Sequence, residues 1–244
     1  VISLVAVDMA STAISRERED GTLDLLLTTP LTQGMDISGK LRGLVAYLLP
    51  LLMVPLGTLL IAGAYVLAGG FGRAGGVSIA VTPVNSTVAF TAPVVLPEAG
   101  LVAAIAAVPF ISACVMVGLW VSLDSKGTLG AVVKTVAIVG VAGGVLGLCG
   151  WNAASDIKHA GPFLAAHTPA SLVFALVRPV DAMAETVVEQ GGLAGARAGL
   201  AFGAVVPAGL LGAGVVYGFH AQMVRTFDMR VRKLAGSEPA DPQA

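Results

Sequence analysis

From Leu44 to Ala68 the chain carries no charged side chain. A membrane helix needs about 20 apolar residues to cross roughly 30 Å of hydrocarbon, and this run is long enough to do so with some tilt. Three further stretches share its character: Ala99–Leu123, Leu129–Gly150 and Ala198–Phe219, with Lys134 the single charge among them. Pro50 and Pro55 lie within the first run and predict a kink there, since neighbouring helices can satisfy the carbonyls that proline frees. Trp120 stands near one end of the second, where an aromatic often marks the membrane interface. Charged residues make up 12% of the chain, about half the usual share of a soluble domain, and the mean hydropathy is +0.87. The expected fold is an all-α polytopic bundle of transmembrane helices in the lipid bilayer.

The chain opens inside an apolar run, Val1–Val7, with no Met, no basic leader and no A-x-A cleavage pattern. That is not a signal peptide. It reads as the end of a membrane helix whose beginning is missing. The expected organisation follows: 1–7, the end of a truncated membrane helix; 8–43, a cytoplasmic segment; 44–219, a four-span bundle with outer loops at about 69–98 and 151–197; and 220–244, a cytoplasmic tail. The net charge of −1 offers no basic field for nucleic acid. Cys114 and Cys149 both lie in apolar runs and read as small hydrophobes, not as a disulfide framework.

Lysine and arginine set the orientation. With Ile14–Arg42 in the cytoplasm, that side holds Arg16, Arg18, Lys40, Arg42, Lys126, Lys134, Arg225, Arg230, Arg232 and Lys233. The other side holds Arg73, Lys158, Arg178 and Arg197. Ten against four places the C-terminal tail inside; its end, GSEPADPQA, has the composition of a disordered segment. Outside, Gly69–Glu98 is rich in Gly, Val, Thr and Pro and suits short strands or an irregular cap. A short helix is expected from Pro179, with Asp181, Glu185 and Glu189 on one face and Val180, Met183, Ala184 and Val187 on the other. It reads as an amphipathic helix on the outer surface or as a solvated loop helix. Gly195, Gly199 and Gly203, with Gly140 and Gly144, and Gly143 and Gly147, have the small-xxx-small spacing that lets helices pack closely.

The longest charge-dense segment is ISREREDGTLDLLLTTPLTQGMDISGKLR, Ile14–Arg42. Asp8–Asp20 is expected to carry the incoming helix into water, ending on Arg16, Glu17, Arg18 and Glu19, with Gly21 as the breaker. Asp20 or Thr22 then caps a short helix, with Asp24 in its first turn and Leu23, Leu26 and Leu27 on one side. Thr28-Thr29-Pro30 ends it. An exposed leucine ridge of this kind suits a groove on a soluble partner; packing back on its own bundle or lying in the lipid interface are the alternatives.

Glu17-Arg18-Glu19-x-Gly21-Thr22-Leu23, the run Leu25-Leu26-Leu27, Pro30, and then Gly39-Lys40 make a pattern. It resembles the segment between the second and third membrane helices of ABC-2 type ABC transporter permease subunits. The resemblance implies that Arg16, Glu17, Arg18, Glu19, Gly21, Thr22, Leu23, Leu25, Leu26, Leu27, Pro30 and Lys40 form a coupling segment that docks on an ATP-binding subunit. It further implies a second permease subunit, as homo- or heterodimer, an inner or plasma membrane location, and export driven by ATP. No cofactor is expected in this chain, ATP and Mg²⁺ belonging to the partner ATPase. The alternative is a secondary transporter or channel without an ATPase.

Enzyme chemistry is not expected. Gly34-x-x-x-x-Gly39-Lys40 reproduces most of a phosphate-binding loop, but Leu41 stands where that loop needs Ser or Thr. No H-E-x-x-H or G-x-S-x-G occurs. His159, His167 and His220 have no Cys or acidic partner at ligand spacing. Lys134, one turn inside its span, reads as a snorkelling anchor in preference to a transport residue.

Overall fold

The structure is a computed structural model that describes residues 2–21, 33–69, 78–83, 89–125, 127–157, 160–190 and 192–234. In chain order the helices are α1 (Ile2–Thr12), α2 (Ser15–Glu19), α3 (Gln33–Leu67), α4 (Ala99–Asp124), α5 (Thr128–Asp156), α6 (Gly161–Ala165), α7 (Pro169–Val177), α8 (Pro179–Ala182), α9 (Ala184–Gln190), α10 (Ala194–Leu210) and α11 (Tyr217–Leu234). A π-turn, Leu211–Val216, joins the last two. Between α3 and α4, β1 (Ser78–Val81) and β2 (Phe90–Pro93) pair antiparallel, Ser78 opposite Pro93 and Val81 opposite Phe90. The chain is thus mostly helical, and among the described residues β1 and β2 form a small two-stranded sheet where short strands or a cap were expected.

Four helical stretches are long and apolar enough to cross a membrane: Ile37–Leu67, Ala99–Asp124, Thr128–Asn152 and Ala194–Thr226. They coincide with the four apolar runs. Two boundaries move. The first span starts in the expected cytoplasmic segment, because Gln33–Gly43 is already helical. The last continues through the π-turn into α11, so 220–234 of the expected tail is helix. The helical backbone also runs without a break through Pro50 and Pro55, as it does through Pro109 in α4 and Pro207 in α10. Each proline removes one backbone bond. In a bilayer the flanking backbone has no water to turn to, so the helix is retained. The π-turn begins four residues after Pro207; such wide turns are one way a helix absorbs a missing bond.

Two compact units are each assembled from portions of these long helices. The first comprises Val1–Leu51, Ile111–Val141 and Leu211–Ala244. Its core takes Ala6 and Ala10 from α1, Ile37, Leu44 and Leu48 from α3, Val115, Met116, Leu119 and Leu123 from α4, and Met223 from α11. Ile37, Leu44 and Leu48 on α3, and Met116, Leu119 and Leu123 on α4, are three, four or seven residues apart, the spacing of one helix face. Gly118 lets α1 and α4 meet closely, since a Cβ there would lie 2.7 Å from the Ala10 Cβ. Trp120 meets Phe219 edge to face, with ring centroids 5.5 Å apart.

The second unit comprises Leu52–Phe110 and Ala142–Leu210. Its core gathers Leu56, Val81, Ala92, Leu96, Ala103, Leu172, Leu176, Met183, Val187 and Leu200. The helix expected from Pro179 is two short helices, α8 and α9, separated at Met183. Met183 and Val187 are fully buried, while Asp181 and Glu185 are exposed. The expected apolar face therefore exists, and it packs into the protein's own core. Ala184, placed on that face by the sequence, is exposed.

The glycine spacings separate into two groups. A Cβ on Gly203 would collide with the Phe163 carbonyl oxygen and lie 2.8 Å from the Ala166 Cβ, and one on Gly199 would lie 2.9 Å from the Pro162 Cβ. These two positions are where α10 receives α6. Gly140, Gly143 and Gly144 have open space instead.

Candidate functional site

The described ends of the charged segment, 14–21 and 33–42, meet at a junction within the first unit. Helix α1 stops at Thr12, where the Ser11 and Thr12 hydroxyls donate to the Asp8 carbonyl at 3.0 and 2.9 Å. Such back-bonding supplies local competition with the helix ladder. Ala13 and Ile14 form a turn, and α2 follows. This corrects the expectation of one helix running from Asp8 to Asp20 into water. Ser11, Ile14 and Ser15 are all buried, at 0%, 2% and 2% exposure.

The reason for the turn lies on α4. The Ser122 hydroxyl oxygen accepts from the backbone N–H of Ile14 at 3.2 Å and of Ser15 at 2.9 Å. Both donors belong to the start of α2, where N–H groups lack helical partners. A side chain from another helix thus caps α2 in place of a local one. The Ser15 hydroxyl donates to the Ser11 carbonyl at 3.0 Å, so the buried polar atoms here are paired among themselves.

Beyond this point the acids separate. Lys40 Nζ on α3 lies 2.6 Å from Glu17 Oε2. The Lys40 side chain is 15% exposed and that of Glu17 is 32% exposed, so the pair is partly withdrawn from water. Glu19 reaches the other way, to the first turn of α5. Its Oε1 accepts the Thr128 backbone N–H at 2.8 Å, and the Thr128 hydroxyl lies 3.1 Å from both carboxylate oxygens. An anion here satisfies one unpaired amide and faces the positive end of the helix dipole. Gly21 then takes φ +70°, a conformation in which an L side chain is strained. The break expected at Gly21 is present.

Among the residues read from the sequence, Glu17, Glu19, Gly21 and Lys40 gather at this junction. Arg16 is exposed, and Arg18 belongs to the backbone of α2. Thr22, Leu23, Leu25, Leu26, Leu27 and Pro30 lie outside the described residues, as does the short helix expected over them. Ser122 and Thr128 were not picked out from the sequence. Thr128 carried a usable signal: it is a Thr directly before the apolar run that begins at Leu129. Ser122 carried none, because its partners are more than a hundred residues away.

Lys40 also decides the fate of the phosphate-loop look-alike. Residues 34–40 belong to α3, so they form a helix and not the loop between strand and helix that a phosphate-binding motif needs. The Lys40 ammonium is engaged by Glu17.

Elsewhere, Lys134 is exposed on α5. His167 Nδ1 sits 3.0 Å from the Phe163 carbonyl and His220 is half-buried; His159 lies outside the described residues. Among the described residues no three His, Cys, Asp or Glu side chains come together as a metal site. Cys114 is buried and Cys149 exposed, both as free thiols. A groove of about 240 Å³ beside β2 is lined by Pro93, Val94 and Arg178–Asp181, and Arg178 and Asp181 form an exposed ion pair of 3.6 Å. Nothing in that groove concentrates chemistry.

No family model, no curated protein and no solved structure matches the chain.

Proposed function

We propose that this chain is a membrane-spanning permease subunit of an ABC-2 type transporter, exporting a substrate with energy from ATP hydrolysed by a partner subunit. The observation that carries the reading is the charged motif together with its mounting. Glu17-Arg18-Glu19-x-Gly21-Thr22-Leu23 resembles the family's coupling segment, and its root is tied to α3 through Lys40 and to α5 through Thr128. A segment meant to carry force between a soluble motor and a helix bundle needs anchorage of that kind. A floating loop would absorb the motion. The topology agrees with the family in outline: a polar insert, a span, an outer loop with a hairpin, two spans joined by the turn Asp124–Gly127, short outer helices and a last span.

In this reading the polar insert, the turn Asp124–Gly127 and α11 lie in the cytoplasm, and the membrane is the inner or plasma membrane. The partners are an ATP-binding subunit, which holds ATP and Mg²⁺, and a second permease subunit. This chain performs no catalysis. ATP binding moves the docked insert and shifts the bundle between inward- and outward-facing states, which requires a difference in contact energy of several kcal/mol. A secondary transporter driven by protons or cations calls for carboxylates near the bilayer midplane. Within the four candidate spans the only acid is Asp124, at a helix end.

Leu26→Asp in the full-length protein tests the reading. A leucine buried in a partner's groove contributes roughly 1.5–3 kcal/mol, so replacing it with a charge should weaken docking about tenfold or more. The expected outcome is normal membrane insertion with loss of both ATPase co-purification and transport. Normal transport and a retained ATPase would instead favour an insert that lies in the lipid interface.

A further inference from the structure

The sequence reading treats Arg16 to Glu19 as one docking surface for the ATP-binding subunit. The geometry of α2 divides them. Residues two apart on a helix differ by about 200° in direction, so Glu17 and Glu19 cannot both face one partner. They point at two different helices of this chain: Glu17 at Lys40 on α3 and Glu19 at Thr128 on α5. A third tether, Ser122 on α4, holds the amides of Ile14 and Ser15 at the other end of α2. Five residues of helix are thus fastened to three long helices. Gly21 follows two residues after Glu19 with φ +70°, so the backbone turns just beyond the fastened helix.

We infer that α2 is a clamp, and that Glu17 and Glu19 are positioning residues that aim the insert and fasten it to α3 and α5 instead of touching the partner. This rests on the proposed transporter reading for what the insert meets, and on the geometry alone for the clamp itself. The division of labour is then specific. Partner recognition belongs to Leu23, Leu26 and Leu27, and transmission belongs to the two acids. Removing an acid loosens the insert without deleting its docking surface.

The experiment uses the full-length protein in membranes, with Cys149 replaced by Ser and a spin label at Asp20→Cys. Glu17→Ala, Glu19→Ala and Lys40→Met are each compared with the native sequence. The expected result is a more mobile label in all three, because each cuts one fastening. ATPase co-purification is expected to stay within about twofold of native, while transport per ATP hydrolysed falls about fivefold or more, the scale of one partly exposed charged hydrogen bond. Exchanging the charges, Glu17→Lys with Lys40→Glu, should restore both label mobility and coupling.

An unchanged label mobility in Glu17→Ala and Glu19→Ala overturns the clamp. So does loss of the ATPase at unchanged mobility, which would return the acids to the partner surface. If the native protein retains no ATPase, the transporter reading fails, and the mobility comparison still decides the clamp.

Discussion

Arg197 holds Glu98 through two parallel hydrogen bonds, Nε to Oε1 at 2.5 Å and Nη2 to Oε2 at 2.8 Å, joining the start of α10 to the residue before α4. The planar guanidinium matches the carboxylate in a way a lysine cannot. Arg197→Lys is therefore expected to destabilise the second unit. The side chains are 48% and 23% exposed, so solvent screening limits the loss to about 0.5–1 kcal/mol. Thermal unfolding of the detergent-solubilised protein, run as a double-mutant cycle with Glu98→Gln, measures it. Additive effects of the two changes would show that the pair contributes nothing beyond its separate residues.

Gly203 and Gly140 should respond in opposite ways to alanine. At Gly203 the new Cβ meets a backbone carbonyl of α6, which cannot rotate away. Overpacking of this kind costs about 1–3 kcal/mol, and Gly203→Ala is expected to lower the yield of folded protein. At Gly140 nothing lies within 4 Å, and alanine is the better helix former by about 1 kcal/mol. Gly140→Ala should be neutral or stabilising when unfolding is followed by circular dichroism. A strong loss at Gly140 would reveal that a second chain packs on that face of α5.

Ser122→Ala removes the acceptor of two buried amides at once. An unpaired buried donor costs about 1–3 kcal/mol, so the variant should loosen α2 while leaving the long helices in place. Limited proteolysis at Arg16 reports this directly: cleavage is expected to speed up by about tenfold, the equivalent of 1.4 kcal/mol. Ser122→Thr retains the hydroxyl and should cleave at nearly the native rate. Equal protection of Ser122→Ala and native protein would mean that the two hydrogen bonds do not hold α2.

The orientation has its own test. The ten-to-four distribution of Lys and Arg puts Gln33 and Gln222 inside and Asn85 and Glu185 outside. In intact cells, single cysteines at Asn85 and Glu185 should react with an impermeant thiol reagent, and those at Gln33 and Gln222 should react only after permeabilisation. Labelling of Gln33→Cys in intact cells would invert the topology.

Hydropathy and helical period are local quantities, and what depended on them was legible from the residues alone. The four apolar runs became the four long helices. The alternation of Asp181 and Glu185 with Met183 and Val187 became an exposed and a buried face. Gly21 marked its own break because only its backbone enters that conformation cheaply. The helix passes unbroken through Pro50 and Pro55, since the bilayer interior offers the backbone no alternative partner.

Where each carboxylate points was decided only by the tertiary structure. Glu17 and Glu19 look alike in the sequence, two acids in a charged run, yet one finds a lysine 23 residues on and the other a helix start 109 residues on. Likewise Gly203 and Gly140 have the same spacing signature, and only one of them meets another helix. A residue's own chemistry says which bonds it is able to make; the chain's return path says which partner arrives within reach. For this protein the first specified helices for a membrane, and the second turned a charged stretch into a fastened junction.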